Sequence, residues 1–265
     1  MRPLHAARML LGALGCALAL SAPAASLQVA PTSITLQPRQ NADGLWLSNT
    51  GGDPLHAQVR VFRWTQVDGE ERLEPTRDIT ISPPLIELPA GQRQLVRVIR
   101  LGAPPTDVET SYRVIVDELP IPETAPSPGG TGKRAGLEFT LRYSLPVFLL
   151  PASAGTAESS QPQPVLQAKV LQNGTTAQLE ISNTGAAHAQ VSELVFVDAA
   201  GRRHVVREGL AGYVLPGERK RWPIPASLTV KPAPAGVFKA RINGEFADRD
   251  LLEQGIDSAR PSGGR

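Results

Sequence analysis

The sequence predicts an all-β chain made of two sandwiches in tandem, and three observations predict it. Its 25 prolines and 24 glycines break it into short Val/Leu/Ile runs, and beyond residue 24 no apolar stripe keeps a 3.6-residue period. Each run is bounded by Gly, Pro, Asn or Asp, the residues turns require. One motif also returns: Leu47-Ser48-Asn49-Thr50-Gly51 with His56-Ala57-Gln58-Val59 recurs as Ile181-Ser182-Asn183-Thr184-Gly185 with His188-Ala189-Gln190-Val191. A later turn, Leu88-Pro89-Ala90-Gly91, has its counterpart in Leu215-Pro216-Gly217 at a similar distance. Repetition on this scale implies two related domains.

Residues 1–24 place Arg2 and Arg8 before an apolar run from Met9 to about Leu20 and end in Ala22-Pro23-Ala24, the pattern of a cleavable signal peptide. The run falls short of the ~20 residues that span a bilayer, and no later stretch approaches that length. An exported chain without stable membrane insertion is expected. Cys16 is the only cysteine and lies in this segment, so both domains must rest on their cores rather than on a disulfide.

The first domain is expected over residues 26–151, with strands at 27–36, 44–48, 55–66, 78–88, 93–101, 110–119 and 136–150. That number and spacing suit an immunoglobulin-like sandwich. Asp68-Gly69 is a hairpin-turn signal. Residues 121–136 are too rich in Pro and Gly for a tight turn and read as a long loop before the last strand. Residues 152–163 lack apolar periodicity and read as the linker. The second sandwich follows over 164–247, and 248–265 reads as a frayed tail.

Charge and motif content narrow the function. The chain has 27 basic and 25 acidic residues, and loss of Arg2 and Arg8 with the leader brings it to balance, so no net field recruits nucleic acid or membrane. Beyond the leader the only histidines are His56, His188 and His204, two of them in the repeated motif. There is no nucleophile elbow, no phosphate-cradling glycine loop and no metal-ligand spacing. No catalytic residue, metal or cofactor is therefore expected, and the chain does not read as an enzyme.

The last strand of the first domain carries the strongest functional signal. Alternation puts Leu137, Phe139, Leu141, Tyr143, Leu145, Val147 and Leu149 on one face, opposite Glu138, Thr140, Arg142 and Ser144. One reading is a sandwich strand whose apolar face is buried at home. Length favours another: fourteen residues at ~3.3 Å each reach about 46 Å, against ~17–20 Å for an ordinary strand, so part of the stripe outruns its own core. An unpaired apolar edge invites aggregation unless a partner covers it. Pro146 removes one ladder donor, so pairing is expected to break or bulge there.

This strand, running from Leu137 to Leu150 and followed by Pro151, resembles the last first-domain strand of the PapD-like pilus-assembly chaperones. Supporting matches are Ser82-Pro83-Pro84, the Pro89-Ala90-Gly91 turn with Arg97 beyond it, and Ser111-Tyr112-Arg113-Val114 leading to Asp117-Glu118-Leu119-Pro120. The resemblance implies a boomerang of two sandwiches in the periplasm, with pilin or fimbrial subunits and an outer-membrane usher as partners. It implies donor-strand complementation, in which Leu137, Phe139, Leu141, Tyr143 and Leu145 complete a subunit that lacks a strand.

Chaperones of this family anchor the subunit's terminal carboxylate with an arginine in the first strand and a lysine in the last, and the matching places here hold Ser33 and Pro146. The Tyr112-Arg113 pairing resembles the archaic or alternative branch. Arg113 is therefore the leading candidate anchor, with Arg142 and Arg97 in reserve, because a planar guanidinium suits bidentate contact. The competing reading of each is a solvated side chain or an intramolecular ion pair. Glu109 matches a family glutamate that supports the domain interface, though Leu150 stands where its basic partner is expected. An adhesive or ligand-binding surface protein of two immunoglobulin-like domains is the alternative, and it has no need of a long apolar edge strand.

Overall fold

The computed structural model describes residues 26–120, 140–155, 161–173, 176–228 and 235–253. These form two β-sandwiches, and a 3-10 turn at Ala226–Leu228 is the one helical element among them. The first sandwich contains β1 (Leu27–Ala30), β2 (Ile34–Leu36), β3 (Ala42–Asn49), β4 (Leu55–Val67), β5 (Glu70–Pro75), β6 (Ile79–Ser82), β7 (Leu85–Leu88), β8 (Arg93–Arg100), β9 (Thr110–Leu119) and β10 (Arg142–Leu149). The second contains β11 (Leu166–Asn173), β12 (Thr176–Asn183), β13 (Ala189–Asp198), β14 (Arg203–Val214), β15 (Arg219–Pro223), β16 (Gly236–Ile242) and β17 (Arg249–Glu253).

One sheet of the first sandwich has the order β1-β3-β8-β6; the other has β2-β10-β9-β4-β5, with β7 also paired to β4. Two expected strands are each divided between these sheets. The stretch 27–36 breaks at Pro31, so that β1 pairs with β3 while β2 runs parallel to β10. The stretch 78–88 breaks at Pro83 and Pro84, sending β6 to β8 and β7 to β4. A proline offers no N–H to a ladder, so the chain leaves one sheet there and joins the other.

The Asp68-Gly69 signal closes the β4–β5 hairpin, with φ of 55° and 88° at the two turn residues. Its second strand, β5, is exposed along its whole length, and a strand with no buried face leaves no alternation to read. The second sandwich stacks β11-β12-β15 on β14-β13-β16-β17. It extends beyond residue 247, because β17 pairs with β16.

The repeated motif has a physical reason. In the first domain the Asn49 side-chain amide donates to Asp53 O at 2.8 Å and Leu88 O at 3.0 Å, while its oxygen accepts from Gly51 N at 2.9 Å. Asn183 does the same in the second, donating to Ala187 O at 2.7 Å and Val214 O at 3.1 Å and accepting from Gly185 N at 2.9 Å. One buried asparagine thus satisfies a loop and a neighbouring strand in each sandwich. Separate cores form around Leu47, Val98 and Val116 in the first domain and around Leu179, Phe196 and Phe238 in the second. Each such buried side chain contributes about 1.5–3 kcal/mol.

Candidate functional site

Strand β10 lies between β9 and the three-residue β2. On one side it pairs with β9 without a break, Leu145 opposite Val114, Pro146 opposite Arg113 and Val147 opposite Tyr112. The expected interruption at Pro146 does not occur, and hydrogen-bond alternation explains why. Leu141 O accepts from Glu118 N at 2.9 Å, which makes 141, 143, 145, 147 and 149 the residues whose main chain faces β9. Arg142, Ser144, Pro146 and Phe148 turn theirs to the other side. Pro146 therefore stands where the β9 ladder needs no donor.

On that other side β2 covers only Val147–Leu149. Among the described residues, the main-chain groups of Arg142 and Ser144 have no strand beside them and form an open edge, while the Val147–Ile34 pairing takes up the carbonyl of Pro146. Of the alternating stripe, Leu145 is buried in the first-domain core, and Leu141 and Tyr143 pack against it. The Tyr143 hydroxyl also donates to Leu27 O at 2.6 Å. In the free chain this part of the stripe is used at home, while Leu137 and Phe139 lie outside the described residues.

Side chains between the core-facing positions project from the outer face of this sheet and meet the second domain. Trp64, Phe148, Tyr213 and Leu215 form a buried cluster shared by both domains. The Arg113 guanidinium lies 3.7 Å from the centre of the Trp64 ring and 5.5 Å from that of Tyr213, with Glu71 Oε2 at 3.5 Å. Burial pushes this guanidinium below the usual arginine value, against the upward pull of Glu71. Gln66 donates to Tyr213 O at 2.8 Å and accepts from Leu215 N at 3.0 Å. The β4–β5 hairpin adds Asp68 to Arg219 at 2.9 Å and Glu71 to Lys220 at 3.3 Å.

Glu109 also crosses between the domains. Both of its carboxylate oxygens lie 2.9 Å from His188 Nδ1, its N–H donates to Ala186 O at 2.9 Å, and the His188 ring stacks on Phe148 with centroids 3.5 Å apart. The basic partner missing near Leu150 is thus supplied from the second copy of the repeated motif. The linker is held at its start, where Ala152 N and Ser153 N donate to Pro105 O and Thr106 O.

The three candidate arginines are not brought together. Arg113 is at the junction, and Arg142 lies on the same outer face, exposed and paired with Asp117, which Arg60 also holds at 2.6 Å. Arg97 projects from β8 in the opposite sheet, between Gly44 and Ser82. Trp64, Gln66, Phe148 and Tyr213 were not expected at the site. Two carried a signal: Trp64 and Phe148 are large apolar residues on the outward face of strands whose core face is already apolar, which marks a second burial partner.

The family model for pili and flagellar-assembly chaperones, the PapD N-terminal domain, matches residues 26–155. No curated protein sequence matches the chain. Among solved structures it is similar to a chain of the CsuC–CsuE chaperone–tip adhesion subunit pre-assembly complex from the archaic chaperone-usher Csu pili of Acinetobacter baumannii, with 25% identity and a TM-score of 0.66 over 86% of this chain and 97% of that one. The E. coli chaperone DraB matches with 17% identity and a TM-score of 0.56, over 86% and 97%. A chain of the Salmonella enterica SafA pilin–SafB chaperone complex matches with 18% identity and a TM-score of 0.54, over 89% and 95%.

Proposed function

Because this chain belongs, through residues 26–155, to the PapD-type family of pilus-assembly chaperones, we propose that it captures pilus subunits lacking a strand and completes them with its own β10. The observation that carries this is the open edge beside Arg142 and Ser144. A subunit strand added there extends the sheet by main-chain hydrogen bonds, and Leu137, Phe139, Leu141, Tyr143 and Leu145 then line a core shared by both molecules. The solved Csu complex pairs a chaperone with a tip adhesion subunit, which supports the same kind of partner here. Chaperones of this family are periplasmic and non-enzymatic. Residues 1–24 serve as the export signal in this reading, the chain itself catalyses nothing, and the loaded chaperone delivers its cargo to an outer-membrane usher.

The subunit's terminal carboxylate needs a cation. Arg113 fills that role in this reading, with Arg142 and Arg97 in reserve. Its present partner Glu71 is loose, at 3.5 Å, and is shared with Lys220, so an arriving carboxylate can take its place. Glu109 supports the domain interface through His188.

Affinity purification of the tagged chain from periplasmic extract tests the whole reading. A small β-rich subunit should co-purify and should aggregate or disappear when the chaperone is deleted. Normal subunit levels without it, together with binding of the purified chain to a surface ligand, would instead make it an adhesive protein.

A further inference from the structure

Where the two sheets of the first sandwich part, at the end nearest the linker, a cleft of about 340 Å³ is lined by Arg63, Arg77, Asp78, Arg100, Thr110 and Tyr112 together with the loop from Leu101 to Pro105. Its lining residues include three arginines and one carboxylate. That carboxylate is already engaged, since Asp78 Oδ2 lies 3.2 Å from Arg63 Nη1 and accepts from the Tyr112 hydroxyl at 2.8 Å. Arg77 is exposed and makes no ion pair among the described residues.

Arg100 is the telling residue. It is 8% exposed, its Nη2 donates only to the neutral oxygens of Pro38 at 2.9 Å and Asn41 at 2.8 Å, and its Nε and Nη1 are buried without a partner. Arginine stays charged when buried, and a buried charge with no counter-ion is unfavourable. The cleft therefore has two more positive charges than negative ones.

We propose that this cleft binds a small oxyanion, phosphate or a simple carboxylate, held by Arg77 and balanced by the field of Arg100. A guanidinium fork matches either anion. The site is separate from the subunit edge, because Tyr112 and Arg63 lie on the inward side of their strands and Arg113 and Trp64 on the outward side. Its consequence falls on the elbow. The loop that borders it carries Pro105 and Thr106, which hold Ala152 and Ser153, and continues to Glu109, which meets His188. A bound anion stiffens this loop and so the connection between the domains.

The test needs only the purified chain and no subunit. Its melting temperature and calorimetric binding are followed against sodium phosphate and sodium acetate, with sodium chloride at matched ionic strength as reference. A saturable rise with phosphate, acetate or both is expected, together with slowed hydrogen exchange in residues 101–109 and 152–155. Saturation by phosphate alone assigns a free phosphate, and saturation by acetate a carboxylate ligand. Arg77→Gln, an exposed change that leaves the core intact, should weaken binding by about tenfold or more, while Arg97→Gln on the opposite sheet should not alter it. Absence of any saturable response in the wild-type chain, or a wild-type midpoint in Arg77→Gln, overturns the proposal.

Discussion

Arg113 stands between the Trp64 and Tyr213 rings, so the proposed anchor also belongs to the domain junction. The two duties separate in one experiment. If it meets the subunit carboxylate, Arg113→Ala should reduce subunit capture far more than Arg142→Ala or Arg97→Ala, because removing one member of a desolvated ion pair costs about 3–5 kcal/mol. The free chain should keep most of its melting temperature, since an arginine over a ring contributes only about 0.5–2 kcal/mol. Wild-type capture by Arg113→Ala, or a collapse of the free protein, would confine the residue to the junction. The buried asparagines make a second prediction at this scale. Asn49→Ala strands two carbonyls and an N–H, and Asn183→Ala two carbonyls and two N–H groups, so each should lower stability by about 1–3 kcal/mol in denaturant titrations. A change near zero would mean the loops rearrange to satisfy themselves.

At the scale of the element, β10 has one edge committed to β9 and the other covered only at its end by β2. An open edge with an apolar face offers both the hydrogen bonds and the side chains that strand addition needs. Leu137→Asp and Phe139→Asp should abolish co-purification of the subunit while moving the melting temperature of the free chain by no more than a few degrees. Leu145→Asp should behave differently and unfold the first domain, because Leu145 is buried in the home core. If Leu137→Asp and Phe139→Asp destabilise the free chain as severely as Leu145→Asp, the whole stripe is structural and the partner binds elsewhere.

Across the whole molecule, acid should weaken the fold. Burial works against the charged forms of Asp117 and Glu180, yet Arg142 and Arg60 hold the first below the usual carboxylate range and Lys169 and Arg221 the second. Arg203 chiefly does the same for Asp248, and His204 for Asp198. A carboxylate whose pKa is depressed by folding contributes its full stability above the unfolded pKa and loses it as pH falls through the folded one. The melting temperature should thus stay level from neutral pH to about pH 5 and fall steadily below about pH 4. A level profile down to pH 3 would show that these pairs add nothing net. Burial raises Glu218 instead, so that this one group acts in the opposite sense.

Much of this architecture is written in local pattern. Alternation, turn residues and the repeated asparagine motif determine two sandwiches and the core-facing positions of β10, because each reports whether a residue has one buried side or two. Local pattern says nothing of which surface does the burying. Only the tertiary structure decides that residues 27–36 close both sheets, that the all-exposed β5 exists, that Pro146 faces β2 and not β9, and that Glu109 finds its partner 79 residues away in His188. Each depends on a neighbour distant in sequence, and periodicity along a strand carries no record of that neighbour's identity.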